Sequence, residues 1–140
     1  MTTDVLARAH TDVSVDDFMT GLIAGLAAHD VDVVSIRKNL FYKAVVNAYD
    51  DFRERADDAG IEPRFVLRLN KIYGDSPAVR DALTRAVQRD LVSLDNPEYQ
   101  DMRLKITRSD ADLYLEKLAG GKALYMEIAK RFLADYPSYS

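Results

Sequence analysis

A short break at residues 74–76 divides two amphipathic stretches, and this arrangement constrains the fold more than any other feature of the chain. The first stretch begins at Pro63 and places apolar residues at helical spacing, at Phe65, Val66, Leu69, Ile72 and Tyr73. The second runs from Pro77 to about Asp90 and is apolar on one side, at Val79, Leu83, Ala86 and Val87. Because Gly74 suits a helix end and Ser76 suits a helix start, the pattern predicts two packed helices joined by a short turn.

A β-hairpin is predicted directly after the second helix. Residues 91–94 form a short apolar run, residues 95–98 have turn chemistry, and residues 102–106 alternate apolar and polar side chains. The tip of the hairpin falls at residues 96–100, and another helix is predicted from Ser109. This order of elements is typical of a winged helix-turn-helix. We therefore predict a mainly α fold with a small β-hairpin wing at residues 91–107.

The remaining segments complete one predicted domain. Residues 1–13 are polar and unpatterned, which predicts a flexible arm. Ser14 with Asp17 resembles a capping box before a helix from Val15 to His29. A long helix follows from Ser35 to Asp58. The domain is expected to span residues 14–140, with a DNA-binding module at residues 35–118 and a C-terminal dimerisation helix at residues 119–140.

Composition narrows the class of protein. With 48% apolar residues in 140, the chain has material for one well-packed core. Cysteine is absent, which excludes disulfides and thiolate metal sites, and the two histidines, His10 and His29, are too few for a metal site. No apolar run approaches the roughly 20 residues of a membrane span. The sequence also lacks a secretory signal pattern, a phosphate-binding glycine loop and a nucleophile elbow. We predict a cytoplasmic protein that is not an enzyme and that uses no cofactor, no metal and no membrane.

Charge is distributed unevenly along the chain. The net charge is −4, but residues 62–108 carry nine basic and seven acidic side chains, a local net of +2. The positive part thus coincides with the predicted helix pair and wing, as expected for a nucleic-acid contact. Aspartate outnumbers glutamate 18 to 5, which is typical of proteins from high-salt cytoplasm and equally of a GC-rich genome.

The second helix of the pair is the predicted recognition helix, at residues 77–90. Its N-terminal half would enter the major groove of DNA, where arginine can donate two hydrogen bonds to guanine. The side chains predicted to read bases are Ser76, Arg80, Thr84 and Arg85. The competing interpretation of this helix is a solvated, charged surface.

A second set of side chains is predicted to bind phosphates, which positions a protein on DNA without reading its sequence. This set comprises Arg64, Arg68, Lys71, Gln88, Arg89, Arg103, Lys105 and Arg108. The wing tip itself is acidic, at Asp95, Glu98 and Asp101, and would meet phosphate poorly.

The C-terminal helix carries an apolar stripe that suggests pairing of two subunits. Its members are Leu124, Tyr125, Ile128, Phe132 and Leu133. We predict a dimer interface here, joined by the N-terminal helix, because twofold DNA sites select twofold proteins. The alternative is that the stripe packs on the chain's own core.

These segments resemble the winged-helix transcriptional regulators of the MarR and PadR kind. The resemblance covers residues 35–118 and is carried by EPRFVLRLNKIYG (62–74), SPAVRDALTRAVQRDLVSLD (76–95) and DMRLKITRSDADLYLEKL (101–118). It implies a homodimer on a near-palindromic operator and a nucleoid-associated location. The aspartate-rich composition is also similar to that of haloarchaeal winged-helix regulators of the oxidative-stress response.

Two other functions remain open. The acidic wing tip and the net charge of −4 favour a winged-helix module that binds protein and never contacts DNA. A regulator that senses a small molecule would place its pocket between the long helix and the C-terminal helix, lined by Tyr42, Tyr49 or Tyr125.

Overall fold

The computed structural model describes residues 11–36, 40–72, 74–94 and 101–135. In this part the chain is mainly helical, with α1 Val15–Ala28, α2 Leu40–Ala59, α3 Pro77–Gln88, α4 Arg108–Lys117 and α5 Lys122–Asp135. The strands are short: β1 Thr11–Val13, β2 Val33–Ser35, β3 Ile61–Pro63, β4 Val92–Ser93 and β5 Asp101–Leu104. In the described ranges, none of the helices has both the length and the apolar character needed to cross a membrane.

Two helices begin where local sequence signals place them. Ser14 and Asp17 form a reciprocal capping box at α1: the Ser14 hydroxyl accepts from the Asp17 N–H at 3.1 Å, and the Asp17 carboxylate accepts from the Ser14 N–H at 3.3 Å. At α3, the Ser76 hydroxyl accepts from the Val79 N–H, and Pro77 occupies the first turn. Both arrangements satisfy backbone donors that a helix start leaves open. The predicted starts of α1 and α3 are confirmed.

Helix α1 lies at the centre of the molecule. Every residue from Phe18 to Ala28 is buried, and α3, α4 and α5 pack around it. Gly21 and Gly25 let α5 approach closely, because a side chain at either position would overlap Tyr125. A helix that is apolar on all sides must be enclosed by other elements, and here the chain's own helices enclose it.

An aromatic cluster joins α1, α2 and the segment after β3. The Phe18 ring lies 5.0 Å from Phe52, 5.7 Å from Phe65 and 6.0 Å from Tyr49, measured between ring centroids. Tyr125 of α5 reaches the same cluster, 5.9 Å from Phe52. These edge and tilted arrangements are the favoured ones for aromatic pairs.

Two small sheets lie beside the helices. Strands β2, β5 and β4 form an antiparallel sheet in that order, with Val34 opposite Met102 and Val92 opposite Leu104. The predicted hairpin of β4 and β5 is confirmed, whereas its tip at residues 96–100 lies outside the described residues. Strand β1 pairs in parallel with β3, so residues 11–13 belong to a sheet and not to the predicted arm. Residues 1–10 lie outside the described part.

The helix predicted from Pro63 to Gly74 is wrong. Strand β3 ends at Pro63, and residues 64–70 continue without regular structure. Burial alternates along this segment: Phe65, Leu67 and Leu69 turn inward, while Val66 stays 55% exposed. The Tyr49 hydroxyl donates to the Phe65 carbonyl at 2.7 Å and so satisfies one backbone acceptor that a helix would have used. The described part of the segment directly before α3 therefore supplies no first helix for the predicted helix-turn-helix pair, and α3 packs on α1.

The prediction that the apolar stripe on α5 forms a dimer interface is also wrong. Tyr125, Ile128 and Phe132 are fully buried, Leu124 is 7% exposed and Leu133 is half-buried, all within one chain. Helix α5 packs on both α1 and α2, which cover the stripe. The predicted partner helix, α1, is itself enclosed. The structure has the alternative arrangement, in which the stripe packs on the chain's own core.

Two buried tyrosines are expected to lower the stability of the fold at alkaline pH. Burial is the main cause that raises the pKa of Tyr125 and of Tyr49. In the unfolded chain, tyrosine titrates near pH 10, so above that pH the unfolded state releases protons that the folded state retains. We expect the free energy of unfolding to be unaffected by these groups below about pH 10 and to fall as pH rises beyond it.

Urea unfolding between pH 8 and pH 11 tests this expectation, with Tyr125→Phe as the control. The substitution removes the hydroxyl that donates to the Ala119 carbonyl at 3.1 Å, which costs about 1 kcal/mol at pH 8. The loss of stability above pH 10 should then be smaller in the variant than in the parent. Parallel losses in the two proteins would contradict a role for Tyr125.

Candidate nucleic-acid interface

Helix α3 has one face in the core and one in solvent. Val79, Ala82, Leu83 and Ala86 are buried against the body of the molecule. Arg80, Thr84 and Gln88 are exposed and follow one another at intervals of four residues. Because four residues make slightly more than one helical turn, these three side chains form an outward stripe roughly 12 Å long. We call this set the α3 stripe.

Ser76, which was predicted to read bases, does not belong to this exposed surface. Its side chain is fully buried, and its hydroxyl caps α3 by accepting from the Val79 N–H. A side chain without solvent exposure cannot meet a base edge, so the base-reading prediction for Ser76 is wrong. The sequence signal for a helix cap was the correct one.

Arg85 and Arg89 turn toward α1. The Arg85 Nε donates to Asp16 Oδ1 at 2.7 Å. An Arg89 guanidinium N–H donates to Thr20 Oγ1 at 2.6 Å and, more weakly, to the Asp16 carbonyl at 3.4 Å. These bonds hold α3 on α1. Each of the two shorter bonds, Arg85 to Asp16 and Arg89 to Thr20, joins residues that are 69 positions apart in the sequence. No local sequence pattern indicates such pairs.

Arg80 stays on the exposed side but is not free of partners. Its guanidinium pairs with Asp75. The pKa of Arg80 is raised, chiefly by a hydrogen bond with Tyr42 of α2. The Thr84 hydroxyl donates back to the Arg80 carbonyl at 3.1 Å, a common arrangement within a helix. The side chain of Arg80 is still 54% exposed, so it remains accessible to a ligand.

Several predicted phosphate ligands already bind carboxylates of the same chain. Arg64 pairs with Asp12 at 2.9 Å, Arg108 pairs with Asp30 at 3.2 Å, and Lys105 pairs with Asp90. Water screens such exposed pairs and leaves them weak, so a phosphate could displace the carboxylate. The displaced carboxylate would nevertheless stay nearby and repel the phosphate.

Three predicted phosphate ligands are exposed cations for which the described ranges offer no carboxylate partner. They are Arg68, Lys71 and Arg103. Arg103 lies on β5, opposite Val33 and Ser93, on the outward face of the antiparallel sheet. The ion pair of Lys105 with Asp90 fastens the end of β5 to the residues that follow α3. The hairpin base and the C-terminal end of α3 therefore adjoin.

The cleft at the position of the predicted sensing pocket is not lined by the predicted tyrosines. A cleft of about 380 Å³ does lie between α2 and α5, but charged side chains such as Asp51, Glu54, Arg55 and Glu127 surround it. None of the predicted lining residues borders this cleft: Tyr49 and Tyr125 are buried in the aromatic cluster, and Tyr42 is half-buried. In the part of the chain that the structure describes, no group of three or more acidic or histidine side chains could hold a metal ion.

Comparisons with protein-family models, with curated proteins and with solved structures found no match to this chain.

Proposed function

We propose that the protein binds double-stranded DNA through α3 and the adjoining β4–β5 hairpin, in the manner of a winged helix. The observation that carries the proposal is the α3 stripe, which presents Arg80, Thr84 and Gln88 outward on a helix whose opposite side is anchored in the core. An antiparallel hairpin follows that helix directly, with Arg103 on its outward face. A helix of this width fits the major groove of B-DNA.

Within this proposal the two sets of side chains have different roles. Arg80 would leave Asp75 and donate two hydrogen bonds to guanine, and Thr84 is small enough to let the helix approach the base edges. Gln88, Arg103, Lys105, Arg68 and Lys71 would contact phosphates or the minor groove. Arg85 and Arg89 would position α3 on α1 and would not touch bases.

The regulatory role belongs to the same proposal. A homodimer on a near-palindromic operator, a cytoplasmic and nucleoid-associated location, and a response to stress are what the resemblance to winged-helix regulators adds. The stripe on α5 is unavailable for pairing, so two copies would meet through a different surface.

A second candidate function is a protein-binding module without DNA binding. It is favoured by the ion pairs that occupy Arg64, Arg80, Lys105 and Arg108 with carboxylates of the same chain. A surface on which cations and carboxylates alternate attracts DNA weakly, because few counterions are released on binding.

The decisive experiment is selection from a random library of duplex DNA, followed by affinity measurements on the selected site. Arg80→Ala is expected to weaken binding to that site by about 1–3 kcal/mol and to relax the preference at one base pair. Arg103→Ala is expected to weaken selected and random DNA alike and to make the salt dependence shallower.

Arg85→Ala is the matched control on the same helix. It removes the bond to Asp16, and because both side chains are partly exposed the cost in stability is at most about 1 kcal/mol. Base preference should not change. Failure of the selection to enrich any sequence would refute the proposal, and an Arg80→Ala effect that is equal on selected and random DNA would refute the role of Arg80 in reading bases.

A further inference from the structure

A cleft of about 510 Å³ opens between the C-terminal end of α3, the residues that follow β5, and α4. The apolar part of its lining is Ile106, Leu113 and Tyr114. Leu113 is 56% exposed and Tyr114 is 37% exposed, although both belong to a well-packed chain. One exposed leucine is common on a protein surface, but neighbouring apolar side chains in a concave site indicate a place where another molecule packs.

Helix α4 is apolar on two sides, and only one of them serves the core. Ala111 and Leu115 are fully buried against α1. Asp110, Leu113, Tyr114 and Lys117 lie at the spacing i, i+3, i+4 and i+7, which places them along a second face that lines the cleft. The described residues leave this second apolar face open to solvent.

The rim of the cleft carries one more cation than carboxylates. Arg89, Lys105 and Lys117 contribute three cations, whereas Asp90 and Asp110 contribute two carboxylates. Asp90 is held by Lys105, and Asp110 lies in the first turn of α4, where the helix dipole favours a negative charge. Lys117 has no carboxylate partner within the described ranges. The excess of one cation on this rim, in a chain of net charge −4, favours an acidic ligand over a basic one.

We propose that this cleft docks an acidic amphipathic helix from a partner protein. The apolar side of that helix would cover Leu113 and Tyr114, and its carboxylates would meet Lys117, Lys105 and Arg89. Recognition of a helix by apolar anchors at i, i+3, i+4 and i+7 is a recurring mode of binding. The apolar anchors lie on α4, outside the α3 stripe, so the proposal stands without DNA binding; Lys105 alone belongs to both proposed surfaces.

Two other occupants fit the cleft less well. DNA phosphates would use the cations but would leave Leu113 and Tyr114 uncovered. A second copy of this chain would have to offer an acidic helix with an exposed apolar side. The helix with the most carboxylates in the described part, α2, buries Phe41, Val45, Tyr49 and Phe52 in its own core.

The test uses a labelled synthetic peptide of about four helical turns, with leucine at i, i+3, i+4 and i+7 and glutamate at most other positions. Two control peptides replace every glutamate by lysine or every leucine by serine. We expect saturable binding of the acidic peptide, about tenfold weaker binding to Leu113→Asp, and a shift of preference toward the lysine peptide in Lys117→Glu. Leu40→Asp, at a leucine that is 45% exposed on α2, is the matched control and should bind like the parent.

Each variant is first shown to be folded by circular dichroism and thermal melting. Equal binding of the acidic peptide by the parent and by Leu113→Asp would overturn the proposal, as would binding of the serine peptide with the same affinity as the leucine peptide. If the parent binds no peptide and instead self-associates in light scattering, with Leu113→Asp monomeric, a second copy is the occupant and the proposal is wrong. If random duplex DNA alone binds and Leu113→Asp weakens it, the cleft belongs to a DNA interface and the proposal is equally wrong.

Discussion

Replacement of Phe18 by alanine is expected to lower the free energy of unfolding by about 3–5 kcal/mol. The Phe18 ring is fully buried on the central helix and touches three other aromatic rings, at 5.0 Å, 5.7 Å and 6.0 Å between centroids. Removal of the ring loses its transfer free energy and leaves a cavity that the surrounding rings cannot fill without moving. Since a domain of this kind is stable by about 5–15 kcal/mol, this loss removes a substantial part of the stability and should lower both the melting temperature and the denaturant midpoint.

Chemical denaturation followed by circular dichroism measures this loss. Tyr114→Ala is the control, because Tyr114 is 37% exposed on α4 and surface substitutions change stability by only about 0.5 kcal/mol. Phe18→Leu should fall between the two, since it keeps part of the volume. A Phe18→Ala variant as stable as Tyr114→Ala would mean that the aromatic cluster is not formed in solution.

Alanine at Gly21 or at Gly25 is expected to destabilise the protein by about 2 kcal/mol, although alanine is the better helix former by about 1 kcal/mol. A Cβ atom at Gly21 would lie 2.1 Å from Tyr125 Cδ1, and a Cβ atom at Gly25 would lie 2.7 Å from the Tyr125 carbonyl oxygen. Either overlap forces α5 away from α1. The opposing helix propensity makes the sign of the effect informative: a gain in stability would show that the two helices are not in close contact.

A double-mutant cycle separates the two glycines. Tyr125→Leu removes the ring that obstructs Gly21, so Gly21→Ala should cost less in the Tyr125→Leu background than in the parent. The obstruction at Gly25 is a backbone atom of α5, and no side-chain substitution at Tyr125 removes it. Gly25→Ala should therefore cost about the same in both backgrounds. An equal coupling of both glycines to the Tyr125 side chain would contradict this packing.

The secondary-structure elements that are set by local sequence signals were predictable from the sequence. The capping box at Ser14 and Asp17, the start of α3 at Pro77, and the hairpin of β4 and β5 all lie where the local patterns place them. A cap hydrogen bond involves residues three apart, and the alternation of a strand repeats every two residues. The information needed for these elements is therefore contained in a short window of sequence.

The candidate site was less predictable, because long-range contacts decide which side chains remain exposed. Arg80, Thr84 and Gln88 stay on the surface, but Ser76 is buried and Arg85 and Arg89 bond to α1. The positions of arginines on a helix indicate which face they share. They do not indicate that a carboxylate 69 residues away will bind one of them.

The sequence by itself determined the amphipathic character of the helices, the caps at Ser14 and Ser76, and the hairpin after α3. Only the tertiary structure decided that residues 64–70 are not helical and that the stripe on α5 packs against α1 and α2. The physical reason is common to both outcomes. The hydrophobic effect is non-directional and depends mainly on the apolar area that is buried, so an apolar pattern predicts burial but does not identify the partner.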